Sequence, residues 1–543
     1  MLRTSTTCLI LIAALAADAR AADAPAAEPP AVLLPNLGTH THPIATKSPE
    51  AQRFFDQGLV MLFNFNRPEA LRSFRRASEL DPDAIMPYWG MSLAQGPHLN
   101  MDTDMDMNEE AACAILQEGL GRAPGAPERE QAYLKALSRR CSAEPKYDPA
   151  KYREYQQAMR EVVRTYPDDL DAATFLAEAL LVPPRWQWFD RQGQPAEGVE
   201  EALSVLDDVL RRDPLHPFAS HLYVHAIEMS PRPERGLIAA ERLQHAAPGA
   251  GHLVHMGGHI YLRTGDFETA VRISRQAVAA DREYMRLTGV APNVYTHGYY
   301  PHTTHFIVYA QMMLGRQADA QGVADELVAY LEPAAGALPE MFDYFSPMKL
   351  QAALRFQDWD RVLAAPEPEP RLLYSRAFRH YARAVAYAAQ GKTEEAKREQ
   401  AVFAAAYQEI PPERPQMANK ARGLLDVAAA ELDARLAPDA AASVPHWRRA
   451  AAAQDALRYE EPPAWFYPVR ESLGGALLRA GQAAEAEAVF REELAQAPRN
   501  GRALFGLRES LRAQNDVPAA AAVDRELRRA WRQDGAKLSV DKL

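Results

Sequence analysis

Eight residues near the middle of the chain have the types and spacing of a metal site. His221, His225 and Glu228 stand in HLYVHAIE, His252, His255 and His259 in GHLVHMGGHIY, and His302 and His305 in PHTTHF. Imidazole nitrogen binds zinc, copper, nickel and iron, and two histidines four apart on a helix present both rings on one face. His221 and His225 have that two-point chelate spacing. Glu228, a turn further on, suits a carboxylate ligand, a partner that orients a ligand imidazole, or a general base. Two histidines and one carboxylate also make a set that leaves coordination positions open for substrate. The blander alternative is a histidine-lined surface that hydrogen-bonds between helices or recognises an acidic peptide. Further candidate contacts are His98, Met101, Met105 and Met107 in GPHLNMDTDMDMN, Met256 among the histidines, and His297, Tyr300 and Tyr309 downstream. Thioether with imidazole suits copper, whereas histidine with Glu228 suits zinc or iron.

The elements that must position these side chains are helices in a repeat. The spacings 255 − 221 = 34 and 259 − 225 = 34 put two histidines at equivalent places in neighbouring units. Counting Ala51 as position one, Phe54, Gly58, Met61, Ala70, Phe74, Ala77 and Pro82 fall at positions four, eight, eleven, twenty, twenty-four, twenty-seven and thirty-two. The same phase returns with Gly257, Gly258, Tyr261, Gly265, Ala270 and Ala277, and again with Leu473, Gly474, Leu477, Gly481, Ala486, Phe490 and Pro498. This pattern resembles the tetratricopeptide repeat, a 34-residue helix-turn-helix unit with small residues where its helices touch. The resemblance implies an all-α fold, a right-handed superhelix of helical hairpins whose concave groove binds a peptide, protein or small molecule. It also implies that positions two, five, nine and twelve of each first helix line that groove. All eight candidate residues map there, where peptide-binding members of the family usually carry lysine, arginine or asparagine. The central segment is further similar to bacterial exported repeat proteins with a GHLVHM…HIY core.

Composition agrees with a repeat array. A chain of 543 residues exceeds one compact core, and its apolar residues, 48% of the total, are arranged with almost no alternating β pattern. The formal net charge is −11, and no basic stripe interleaved with aromatics stands out, which argues against a nucleic-acid surface. The period predicts N-terminal repeats over 47–214, histidine-bearing repeats over 215–335, C-terminal repeats over 336–536 and a tail at 537–543. Insertions interrupt it at 96–108, 183–200 and 282–300, the second carrying Trp186, Trp188 and Phe189. In the first, Asp102, Asp104, Asp106, Asn108 and Glu110 reproduce half of a calcium loop. Met107 replaces its glycine and Cys113 its closing glutamate, so a solvated acidic loop is the competing reading.

The first 21 residues read as a secretory signal, with Arg3, an apolar run from Cys8 to Ala17, and small residues at Ala19 and Ala21 for cleavage after Ala21. Residues 22–46 are a proline- and alanine-rich leader. The expected location is therefore exported, periplasmic or secreted, with no membrane span. Cys113 and Cys141 remain after cleavage, and nothing in the sequence fixes whether they pair. His40 and His42 in THTHP fit either a minor metal site or a polar lead-in, and isolated histidines such as His216, His245, His380 and His446 read as hydrogen-bonded packing residues. There is no GxSxG, CxxC, glycine-rich phosphate loop or HExxH, so an enzyme here would have to be metal-dependent. Three functions remain: a binding protein holding a transition metal (copper, zinc or iron) or a metal-bearing ligand, a metal-dependent oxidoreductase using the same cluster, and a protein-interaction scaffold without metal.

Overall fold

The computed structural model describes residues 30–100, 108–141, 147–531 and 537–543. The expected signal segment, the first part of the expected leader, Met101, Met105, Met107 and the aspartates between them lie outside the described residues. Among the described residues the chain forms 25 α-helices, and its only paired strands are the two-residue Pro415–Gln416 and Asn419–Lys420. Successive helices pack against one another along the chain, which makes the molecule an all-α solenoid of helical hairpins.

The repeat signature has a direct packing cause. Phe74, on the helix Arg67–Leu80, is buried between Gly58 of the preceding helix and Gly90 of the following one; a Cβ at either glycine would lie 2.5 or 2.7 Å from the ring. Phe490 repeats the arrangement between Gly474 and Gly506, where a Cβ would approach to 2.3 and 2.1 Å. A large residue on one helix thus fills the space left by small residues on both neighbours, and the array propagates.

Two regions depart from a simple hairpin series. Three helices, Glu109–Arg122, Glu128–Ser138 and Pro149–Thr165, occupy the span between the first insertion and residue 165, and Cys113 and Cys141 are joined by a disulfide. The third insertion starts later than the period predicts, because the helix Phe267–Thr288 runs on for 22 residues and ends at Gly289 in the left-handed region, φ 59°. Its extension is held by Tyr284, whose hydroxyl donates to buried Glu69 at 3.2 Å. A π-helical turn over Tyr295–Tyr299 then leads into Tyr300–Leu314.

The described hydrophobic interior divides into two large cores and a small third cluster of Val254, Ile273 and Ala277. Of the two large cores, one gathers residues from Ala51 to Ile260 and the other from Leu262 to Leu543. The helix Gly251–Arg263 lies at their seam, and it carries three of the histidines.

Candidate metal centre

Three helices supply the imidazoles: Pro217–Glu228, Gly251–Arg263 and Tyr300–Leu314. Their placement depends on a turn from far upstream. The helix Pro49–Phe63 ends beside the cluster, and the carbonyl of Phe63, a helix-terminal acceptor in need of a donor, takes the His221 Nδ1 hydrogen at 2.6 Å. Asn64 Oδ1 accepts from the Leu253 amide at 2.9 Å, and the His252 amide donates to Tyr295 Oη at 3.3 Å. Two N-terminal amides of Gly251–Arg263 are satisfied in this way, since Ala250 offers no side-chain cap. Gly251 is required because Asp281 Oδ1 lies 2.1 Å from where a Cβ would sit. Phe65, held at φ 54°, lays its ring against His221, His225 and His252 at centroid distances of 4.4, 5.9 and 5.3 Å.

The histidines form two triads. Ligand nitrogens of His221, His225 and His252 lie within 4.8 Å of one another, and so do those of His255, His259 and His302. Glu228 joins the two: Oε1 accepts from His225 Nδ1 at 2.8 Å and Oε2 from His259 Nδ1 at 2.5 Å. Because a carbonyl or carboxylate can only accept, the hydrogens of His221, His225 and His259 sit on Nδ1, and the Nε2 atoms of His221 and His225 present a lone pair. The Nε2 atoms of His221 and His225, both nitrogens of His252, and Nδ1 of His255 are buried and have no hydrogen-bond partner. His255 and His259 share a hydrogen bond between Nε2 atoms 3.0 Å apart, a hydrogen that an ion would displace. Two nitrogens bound to one tetrahedral ion at about 2.0–2.1 Å would lie roughly 3.3 Å apart, so this spacing is near that of a shared ion.

The cluster is enclosed rather than exposed on a concave surface. Five of the six triad imidazoles are at most 2% exposed, and only His302 is partly open. The resemblance implied an open groove; the difference arises because the turn at Phe63–Phe65 covers one side and the segment around Tyr459 the other. Tyr459 Oη lies 3.5 Å from Glu228 Oε2 and donates to Glu461 Oε1 at 2.9 Å, while Trp186 meets His225 edge-on at 5.2 Å. Phe306 packs against His255, His259 and His302.

Burial dominates the electrostatics. It drives His221, His252, His255 and His302 well below the ordinary imidazole range, and His225 down less steeply because Glu228 opposes it. Burial pushes the Glu228 carboxyl up, but His259 and His225 outweigh it and hold the group at about 2. Imidazoles driven toward their neutral form beside one ionised carboxylate are what a cation needs.

The remaining candidates sit elsewhere. His305 is near Tyr344 and Phe345, outside both triads, and burial lowers it to about 3. His297 stacks on Tyr330 and bonds to Thr296, and Tyr300 accepts from Arg282 Nε. It is Tyr299, one residue earlier on the π-helical turn, that meets His252 at 4.9 Å. Met256 and Tyr309 are buried in the apolar cores, and His98 packs on Phe65. Glu228 bonds to imidazoles and is not among the converging ligand atoms of either triad. Phe63, Asn64, Phe65, Tyr459 and Glu461 were not legible as site residues, since nothing in their local sequence marks them.

A second polar cluster joins the leader to the solenoid. Asp171 Oδ2 accepts from His42 Nδ1 at 2.8 Å, and its Oδ1 lies 3.2 Å from both His40 Nε2 and His216 Nε2. His216 also caps its helix, its Nδ1 accepting from the Ala219 amide. That leaves its hydrogen on Nε2, toward Asp171, the opposite of His221.

The tetratricopeptide repeat family model matches residues 253–284, the segment that carries His255 and His259. No curated protein matches the chain. Among solved structures, the chain is similar to the human IFIT1 dimer with m7Gppp-AAAA at 12% identity, covering 90% of this chain and 91% of that one, with a TM-score of 0.32. It is similar to yeast Tom70 at 11% identity, covering 88% and 96%, with a TM-score of 0.31. The APC/C hetero-tetramer Cut9-Hcn1 gives 11% identity, 88% and 76% coverage and a TM-score of 0.31. Overlaps this low say nothing of what the present chain binds. No helix among the described residues is long and apolar enough to cross a membrane.

Proposed function

We propose that this tetratricopeptide-repeat chain is an exported binding protein that holds a transition metal, copper, zinc or iron, in its buried histidine cluster. One observation carries the reading: His221 and His225 have their Nδ1 hydrogens committed to Phe63 and Glu228 while their Nε2 lone pairs converge, buried and unpartnered. A buried polar atom left without a partner costs about 1–3 kcal/mol, and several in one place call for a shared partner. A metal ion supplies it, and Glu228 is the outer carboxylate that fixes ring orientation. The solenoid around the site offers the extended surface on which repeat proteins bind protein partners. Export is supported by the Cys113–Cys141 bridge, since disulfides persist in oxidising compartments.

The test is metal analysis of the purified protein with thermal melting. Added copper, zinc or iron is expected to raise the melting temperature, as a ligand at a thousand times its Kd stabilises by about 4 kcal/mol. His225→Ala and His259→Ala should abolish the shift. A wild-type protein with no bound metal and no shift with any of the three ions refutes the reading and leaves a scaffold. The oxidoreductase alternative draws on the partly open side of the cluster at His302 and Tyr299.

A further inference from the structure

We infer that the two triads form one dinuclear copper centre that binds dioxygen between its ions. This rests on the metal reading above and deepens it. The triads are neighbours: His225 of one and His259 of the other have ring centroids 5.7 Å apart, as do His252 and His255. They also share an outer partner, Glu228, whose two oxygens each hold one imidazole from either triad. Independent sites have no need of a common carboxylate.

Donor set and charge select the ion. Each triad offers three imidazole nitrogens and no anionic ligand, fewer than the four ligands that a closed zinc site takes and a donor type that copper accepts. Glu228 and Glu461 stand beside the cluster, and Arg263 lies between them, its Nε donating to the Glu228 carbonyl at 3.0 Å and standing 3.9 Å from Glu461. Two divalent ions would bring four positive charges into this enclosure, where Arg263 offsets one of the two carboxylates; two cuprous ions bring two. Uncompensated charge in a buried site is costly, so the singly charged pair is the less costly one.

Three ligands leave each ion with an open position, and His302 with Tyr299 forms one partly exposed wall of the cluster. A diatomic molecule entering there meets both ions. Each cuprous ion gives one electron, both become cupric, and dioxygen is reduced by two electrons to a bridging peroxide. The O–O bond order falls from two to one, two copper–oxygen contacts form, and no proton is taken up. Tyr459 and Trp186 cover two other sides of the cluster.

The experiment loads the full chain with cuprous copper without oxygen, counts copper per chain, then admits air and follows optical absorption and electron paramagnetic resonance. Two copper ions per chain are expected, with an oxygen-dependent absorption band and no paramagnetic signal, because the two cupric spins pair through the bridge. His302→Ala, at the partly open position, is expected to halve the copper and abolish the oxygen response, and His305→Ala to change neither. One copper per chain in the wild type, two ordinary cupric signals after air, or full copper retained by His302→Ala overturns the dinuclear centre. Zinc binding without copper binding overturns it while leaving the metal reading intact, and a protein that takes up no metal overturns both.

Discussion

At the scale of single residues, hydrogen placement separates two histidine clusters that look alike by composition. His221 and His225 give their Nδ1 hydrogens to acceptors, which frees Nε2 for an ion; His216 receives an amide hydrogen on Nδ1, which spends Nε2 on Asp171. Glu228 is the decisive partner, because it holds one ring from each triad. Glu228→Gln keeps one acceptor oxygen but replaces the other with a donor, so one of the two imidazoles must turn. Metal affinity is expected to fall about 10- to 100-fold, the usual effect of losing an outer-shell partner, with the fold retained by circular dichroism. Unchanged affinity would remove Glu228 from the site. The histidines themselves were legible from their spacing, but their grouping was not. His252 joins His221 and His225 across a helix pair, while His255 and His259 join His302, and a partition of that kind depends on how helices cross.

At the scale of the elements, most of the array was readable because its packing rule is local. A phenylalanine lodged between two glycines, Gly58 with Gly90 and Gly474 with Gly506, leaves a fixed spacing in the chain that needs no tertiary information. Gly474→Ala is therefore expected to destabilise the C-terminal repeats by about 1–3 kcal/mol through overpacking against Phe490, seen as a lower denaturant midpoint. A midpoint at or above that of the parent would show that the ring gives way freely. The π-helical turn at Tyr295–Tyr299 was not readable, and it exchanged Tyr300 for Tyr299 at the site. Its register is set by Tyr295, whose hydroxyl donates to Asp281 at 2.6 Å and receives the Asn64 amide at 2.8 Å, a contact between residues 231 apart in sequence. The cover provided by Tyr459 was hidden for the same reason.

At the scale of the whole molecule, the leader is bound to the solenoid by ionisable groups, which makes its docking depend on pH. Burial works against protonation of His40 and His42, but Asp171 outweighs it and raises both above their ordinary value of 6.5, with Asp56 and, for His42, Asp169 adding to the effect. Asp171, buried, is held well below the carboxylate range by His216, His40 and His42. A raised histidine stabilises fully below its unfolded pKa and loses that contribution as pH rises through the folded one; a depressed aspartate loses its contribution only as pH falls through its own low value. The leader should accordingly be most firmly held in mildly acidic solution. Amide hydrogen exchange over residues 38–46, corrected for the intrinsic rate, is expected to show less protection at pH 8.5 than at pH 6, and equal protection would exclude titration as the control.

The walls of the histidine chamber come from opposite ends of the polypeptide, Phe65 from the first hairpin and Tyr459 from a loop nearly four hundred residues later. A chain emerging in order from its N-terminus therefore displays all six triad imidazoles before the last wall has been made. If the cluster holds an ion as proposed, the nitrogens are open during that interval to whatever ion is at hand, and the choice is made final only when the closing loop arrives. Selectivity would then belong to the timing of folding and to the compartment in which it finishes, as much as to the ligands.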